Sequence, residues 1–479
     1  MSTDTESRLG LVTGATGYVG SNVAEELLNQ GWAVRVLSRS RDNAIDEPWG
    51  ERIVAEGQRA GAGEVEVVEG DANSRDDVAA ALTGVEVAWY LLHSMSEDDF
   101  VAEEREMATI FAEKARKAGV KRIVYLGGLH PEGEELSDHL ASRVAVGEIL
   151  MGSGVPTAAL QAGVVLGEGS ASFSMLRHLS ERLPGAIGPQ WIRNKITPIA
   201  VDDAVFFLTK AADLPEEQNR TFDIGGPESL EYAEMMKRYA RVLELGPRPV
   251  VTAPVTTPGL AAHWISLITP TSATLASPLI GSLLHDTVVK ERDLEDLVGT
   301  PAGGLTGFDE AVRNATKDVD TRRFYKVGGA VGGAVAIAAA AGTALVKTDS
   351  LWYKMSRRPS WQPSPALFPI VWTALYTDIA VMSALHVADA IEAGDRAKVR
   401  SYGAALGTNL VLNAGWCGLF FRARRRWLSA AGAAALAASS IDLVRRLAKD
   451  APERGVLLSP YAAWTSFATV LSATIAKLN

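Results

Sequence analysis

Residues Gly14-Ala15-Thr16-Gly17-Tyr18-Val19-Gly20 close a short apolar run, Leu9–Thr13, and open a helical pattern carried by Val23, Leu27 and Leu28. Glycines spaced in this way allow a tight turn and let backbone amides approach a pyrophosphate, whose charge meets the helix N-terminus. The spacing is GxxGxxG rather than GxGxxG. Alone such a motif can be a mere turn, but the order strand, glycine loop, helix makes it a dinucleotide site. Gly14, Thr16, Gly17, Tyr18, Val19 and Gly20 are then cofactor contacts. An NAD site carries an acidic residue about 20 residues further on, for the ribose 2′-hydroxyl. Here the second apolar run ends in Ser38-Arg39-Ser40-Arg41, which suits a 2′-phosphate, so NADP(H) is preferred over NAD(H). A solvated charge at a strand end is the alternative. Asp71 is placed to meet the adenine, and Leu91 with His93-Ser94 stands beside the expected nicotinamide crevice.

Proton chemistry has fewer candidates. His139 and Arg143 lie four apart and so share one helix face. His139 can serve as proton donor near neutral pH, with Arg143 holding the ribose or shifting the imidazole. His93 is another donor, and nucleotide binding without turnover is a third reading. No metal-ligand set is read from the sequence.

The elements that must position these groups are strands at Leu9–Thr13, Ala33–Leu37, Glu64–Glu69, Val85–Leu92 and Lys121–Leu126, alternating with helical patterns. That alternation predicts an α/β fold with a parallel, doubly wound (Rossmann) sheet. Residues 162–320 are expected to supply a substrate lobe, with Trp191, Arg193, His178 and His130 as pocket or structural residues. Asp202-Asp203 reads as a helix cap, and Pro247–Pro258 as a lobe crossing. The apolar stretch Ala261–Leu284, broken by Pro270 and Pro278, reads as a buried hairpin rather than a lipid-facing surface.

This front part resembles atypical, extended short-chain dehydrogenase/reductases of the NmrA-like kind. The likeness rests on the glycine loop, Leu91-Leu92-His93-Ser94-Met95, His139-Leu140-Ala141-Ser142-Arg143, Pro198-Ile199 with Asp202-Asp203, and Phe222-Asp223-Ile224-Gly225-Gly226-Pro227-Glu228. It implies NAD(P)H binding. Active members use a serine after the fifth strand and a Tyr-x-x-x-Lys pair on the next helix. Gly127-Gly128 and His139 with Arg143 occupy those places here.

The chain of 479 residues carries a formal net charge of −10 and one cysteine, Cys417. The acidic excess lies before about residue 320, which argues against a nucleic-acid partner, and a single cysteine allows no internal disulfide. No basic-then-apolar run precedes the first strand, so the front part is expected in the cytoplasm. Two domains follow, 8–320 and 325–479. In the second, five segments near 326–346, 366–391, 401–421, 427–447 and 455–475 approach or exceed bilayer-spanning length. The fold expected there is an all-α five-helix transmembrane bundle. Gly328, Gly329, Gly332 and Gly333 form small-xxx-small pairs that let another helix pack closely, which would permit a homodimer through the bundle. Asp378 and Asp389 share a face, as do Asn409 and Asn413, and Asp442 lies in the fourth segment. Lys and Arg fall almost equally on both sides, so the NADP(H) requirement alone places the N-terminal domain inside a multi-pass cell-membrane protein.

Leu351–Tyr376 holds three tryptophans, two tyrosines and four prolines between two apolar segments. Trp352-Tyr353, Arg358-Pro359-Ser360-Trp361-Gln362-Pro363, Phe368-Pro369 through Tyr376, Leu412-Asn413 with Trp416, and Ser459-Pro460-Tyr461 with Trp464 and Phe467 resemble the TspO/MBR family of tryptophan-rich sensory proteins. The resemblance implies a tetrapyrrole as candidate ligand, held by Trp352, Pro359, Trp361, Phe368, Trp372, Tyr376, Asn413, Trp416, Tyr461 and Trp464. Flat rings in an apolar cavity suit stacking on a macrocycle. Ser364 stands where the family has a second loop proline, and the last helix lacks the tyrosine of a cholesterol motif, which disfavours sterols. The combined expectation is a membrane-tethered NADP(H)-binding oxidoreductase-like protein acting on a lipophilic small molecule such as a porphyrin, quinone or isoprenoid, with membrane lipid as surroundings. The alternative is a nucleotide-responsive sensor or transporter without turnover.

Overall fold

A computed structural model describes residues 7–93, 100–253 and 258–479. Ser94 and Met95 of the sequence motifs, and 254–257 of the proline-rich crossing, lie outside the described residues. Two units form: Met1–Ala262 with Ala273–Val319, and His263–Ser272 with Asp320–Asn479.

The first unit is built on seven strands: β1 Leu9–Thr13, β2 Ala33–Ser38, β3 Val65–Glu69, β4 Val87–Tyr90, β5 Arg122–Gly128, β6 Thr157–Ala162 and β7 Arg220–Ile224. Their order is β7-β6-β5-β4-β1-β2-β3, and every pairing is parallel. Such a sheet is covered on both faces, which is why its strands read as largely apolar runs, interrupted at Arg35 of β2 and Glu66 of β3. The period of two sends neighbours to opposite layers. Val12, Val36, Trp89, Leu160 and Phe222 pack with helix α1, Tyr18–Asn29. Leu11, Ala88, Tyr90, Ile123 and Tyr125 face helices α2, Phe100–Ala118, and α3, Asp138–Met151. Because β2 and β3 lie on one side of β1 and β4 to β7 on the other, the order in which successive strands are added reverses at the boundary of β1 and β4. A crevice opens at their carboxyl ends, where doubly wound sheets bind ligands.

One ion pair crosses the sheet. Arg35 and Glu66, in register on β2 and β3, meet at 2.5 Å with each residue 8% exposed. The guanidinium also donates to the carbonyls of Ala81 and Thr83, so burial leaves it paired. Asp203 departs from the expected capping role. The helix Val201–Lys210 is capped by Ala200 without a side-chain bond, and the buried Asp203 carboxylate instead accepts from the Thr306 amide at 2.7 Å. A further helix, α4 Ala273–Leu283, belongs to this unit.

The second unit holds five helices long and apolar enough to cross a membrane: α5 Arg323–Leu345, α6 Leu367–Glu392, α7 Arg396–Cys417 (continued by a π turn, Gly418–Arg422), α8 Arg426–Asp450 and α9 Pro452–Leu478. The shortest rises roughly 35 Å at about 1.5 Å per residue, enough for the hydrocarbon core. Residues 263–272, expected within the front lobe, group with this unit. The Arg454 side chain, on a residue 2% exposed, explains it by donating to the carbonyls of Leu267 and Thr269 and to Asp389 at 2.6 Å. Among the described residues, a Cβ added to Gly328, Gly329, Gly332 or Gly333 of α5 would meet nothing within 4 Å, whereas one on Gly342, further along, would touch Cys417.

Candidate functional site

The crevice at the sheet's carboxyl edge is a cleft of about 700 Å³. At one end lies the glycine loop. Gly14 has φ +72°, and a Cβ there would come within 2.5 Å of the Leu91 carbonyl oxygen at the end of β4. A Cβ on Gly20 would stand 2.1 Å from the Gly14 carbonyl oxygen. The Gly17 amide closes the turn onto that same oxygen at 2.9 Å, and α1 begins after Gly17 with no side chain capping it. The loop therefore keeps helix-terminal amides unblocked beside the cleft, as a pyrophosphate requires.

All the sequence-predicted cofactor residues line this cleft: the six loop residues, Ser38, Arg39, Asp71 and Leu91. Ser38 is tied into its own turn, its hydroxyl donating to the Ser40 carbonyl at 2.8 Å, while Arg39 is exposed. The Asp71 carboxylate accepts from the Asn73 amide at 2.9 Å. These residues fit a dinucleotide, whose nicotinamide supplies hydride when bound.

His93, His139 and Arg143 line the same cleft. The two imidazoles lie 4.9 Å apart between centroids. His93 Nδ1 is 3.0 Å from Glu104 on α2, and the Ser142 hydroxyl donates to the other oxygen of that carboxylate. Burial works against ionising Glu104, yet hydrogen bonds from His93 and Ser142 and the nearby charge of Arg143 outweigh it and bring its pKa to about 2. His93 is lowered by burial and by Arg143, with Glu104 opposing. His139 is pushed down to about 3 by burial, then by His93 and Arg143, and its Nδ1 is buried without a hydrogen-bond partner. At neutral pH it is a neutral imidazole, a weaker acid than the donor the sequence suggests. Arg143 donates to the Leu126 carbonyl and lies over the Tyr125 ring, so it braces β5 as well as facing the cleft.

Sequence reasoning missed Glu104 and Ser142 as a linked pair. A signal existed. Glu104 shares the buried stripe of α2 with Met107, Ala108 and Phe111, where a charge needs a partner. The same cleft is also lined by apolar side chains, Met107, Leu140, Met175, Leu279 and Leu283. Of the other lobe candidates, His178 is buried and bonded to the Ser174 carbonyl at 2.7 Å, a structural role, while His130 lines a separate cleft of about 310 Å³.

In the second unit the candidate ligand residues mostly engage one another. Tyr376 donates to Asn413 at 2.7 Å, Asn413 to Tyr461 at 3.3 Å, Tyr461 to Asn409 at 2.6 Å, and Asn409 to Ser440 at 3.1 Å. This ladder ties four of the apolar helices together. The rings pair edge-on: Trp352 with Phe420, Trp361 with Phe467, Phe368 with Trp464 and Trp372 with Tyr461. Trp416 stacks on Phe420, and its Nε1 is buried without a partner. Pro359 contributes its carbonyl to a turn with Gln362.

Residues 6–180 match the NmrA-like family and residues 330–478 the TspO/MBR family. The tryptophan-rich protein TspO of Chlorobaculum tepidum is 30% identical over 150 residues, 31% of this chain and 92% of its own length. Ceramide reductase of Caulobacter vibrioides is 26% identical over 310 residues, 63% of this chain and 92% of that one. Among solved structures, the Bordetella bronchiseptica enzyme WbmG in complex with NAD superposes with a TM-score of 0.50 at 16% identity, covering 67% of this chain and 97% of that chain, a likeness of fold. A relative matched almost end to end decides the membrane unit: the chain belongs to the TspO/MBR family, and it carries an NmrA-like, reductase-type NAD(P)-binding domain ahead of its membrane helices.

Proposed function

We propose that this protein is a membrane-anchored, NADPH-dependent reductase of a lipophilic acceptor. The observation that carries the reading is one cleft lined by a nucleotide-type glycine loop, by two imidazoles and by a set of apolar side chains. Ser38-Arg39, with no acidic residue at the end of β2, supports NADPH over NADH. Use of that cofactor supports a cytoplasmic front unit. Among acceptors, a long-chain lipid carbonyl is favoured over a porphyrin, quinone or isoprenoid. The apolar lining suits an acyl chain, and a relative over 310 residues is named as a ceramide reductase. Tethering to the bilayer raises the local concentration of such a substrate.

The test is NADPH oxidation by full-length protein in lipid nanodiscs, with a long-chain ketone, a quinone and protoporphyrin offered separately. Oxidation dependent on the ketone supports the reading, and oxidation with none of the three overturns it. A second reading rests on Gly127-Gly128, which leave β5 without a hydroxyl where active relatives place one. On that reading the nucleotide sets the state of the membrane unit without turnover. Protoporphyrin would then change NADPH affinity without consuming it.

A further inference from the structure

We infer that Glu104 is the positioning residue of the cleft, making His93 rather than His139 the group that hands a proton to the acceptor; the inference rests on the reductase reading above. His93 follows β4, and the carbonyl of Leu91 two residues earlier abuts Gly14, so the backbone carrying the imidazole is fixed by the sheet. Glu104 is 3% exposed, and its two oxygens are engaged by His93 Nδ1 and the Ser142 hydroxyl. A buried carboxylate held in this way remains charged and commits Nδ1–H to itself. That leaves Nε2 as the nitrogen free for transfer. Among the described residues no carboxylate is hydrogen-bonded to His139, and its Nδ1 is buried unpartnered. Among the described residues, the charged or titratable groups set against His93 are Glu104 from α2 and His139 and Arg143 from α3. Only Glu104 favours the imidazolium.

The step balances simply. The acceptor carbon gains hydride, its C=O π pair moves to oxygen, and that oxygen takes the Nε2 proton of the His93 imidazolium. The Nδ1 proton stays shared with Glu104, and the neutral imidazole is reprotonated from solvent. Reduction therefore needs protonated His93, so the rate falls as pH rises through the pKa of that imidazole. Loss of the Glu104 charge destabilises the imidazolium and moves this falling limb to lower pH.

Two readouts test the assignment in full-length protein in bilayers. In the first, Glu104→Gln keeps an acceptor but removes the charge. The falling limb should move down by about one to three pH units, with the KM for NADPH unchanged and Glu104→Asp restoring part of the shift. His139→Gln should lower the rate without moving the limb. NADPH fluorescence confirms that each variant still folds and binds. In the second, which needs no turnover, ¹⁵N-histidine spectra should show His93 (assigned by its loss in His93→Gln) as a single Nδ1–H tautomer. Glu104→Met should turn it into a mixture. An unmoved limb in Glu104→Gln, or an unchanged tautomer in Glu104→Met, overturns the inference. If the wild type oxidises no NADPH while the tautomer responds to Glu104→Met, the reductase reading fails and the positioning role stands.

Discussion

Replacing Gly14 with alanine separates a structural glycine from a merely small one. At φ +72° a Cβ costs about 1–2 kcal/mol in backbone strain. The new atom would also lie 2.5 Å from the Leu91 carbonyl oxygen and 2.8 Å from its carbon. Both belong to the backbone at the end of β4, so neither can rotate away, and the loop must draw back from the sheet. Withdrawal takes the amides of the α1 terminus off a bound pyrophosphate. Loss of two charge-assisted hydrogen bonds at about 1.5 kcal/mol each gives about 3 kcal/mol, or more than a hundredfold in Kd. Gly17 stands in the same motif under different constraints, with φ −95° and a single Cβ contact of 3.2 Å to the Gly14 carbonyl oxygen. Gly17→Ala should therefore weaken NADPH by less than about tenfold, since only a few tenths of an ångström must be absorbed. Fluorescence titration of NADPH into both purified variants reads the difference. Equal losses, or a Gly14→Ala protein that binds within threefold of wild type, would refute the argument from loop geometry.

Arg39→Asp should weaken NADPH at least about tenfold while leaving NADH within threefold, because a carboxylate repels a 2′-phosphate and accepts from a 2′-hydroxyl; paired titrations measure both. Arg454→Met should lower the thermal midpoint of the detergent-solubilised protein, because it takes a buried guanidinium donor from Asp389 and from two carbonyls, at a cost of about 3–5 kcal/mol. Tyr461→Phe should cost about 1–2 kcal/mol in the same melt, since Asn409 Oδ1 loses its tyrosine donor in an apolar surround. Ser440→Ala, which removes only the last rung of the ladder, should cost less than Tyr461→Phe.

Much of this architecture is legible in the residues because few alternatives are physically available to them. A parallel strand covered on both faces needs a largely apolar run, so β1, β2 and β5 stand out without any neighbour being known, Arg35 notwithstanding. The glycine loop is legible because the strand before it and the helix after it leave one use for its spacing. Helices able to cross a membrane declare themselves by length and apolar composition together, and Asn409 and Asn413 by being amides inside such segments. Glu104 is different. On its own helix it is one more charged residue among Glu103, Arg105 and Glu106, and only the packing of α2 on α3 and β4 gives it His93 and Ser142 as partners. Residues 263–272 were hidden for a similar reason. Apolar composition cannot tell a lobe hairpin from a segment pinned by an arginine far along the chain. The α5 glycines carry the opposite lesson, since a motif that permits close packing need not be used for it: among the described residues a Cβ on any of the four would find open space.

Hydride transfer from a nucleotide held in this cleft to a lipid-borne acceptor is the step on which the proposed function depends. Full-length wild type and Gly14→Ala, each in nanodiscs with NADPH and a long-chain ketone, test it directly by loss of absorbance at the dihydronicotinamide band. The prediction is ketone-dependent oxidation in the wild type, with the corresponding alcohol formed in equal amount and less than about one-tenth of the rate in the variant at subsaturating NADPH. Oxidation of equal rate in both proteins, or none in the wild type, would contradict it.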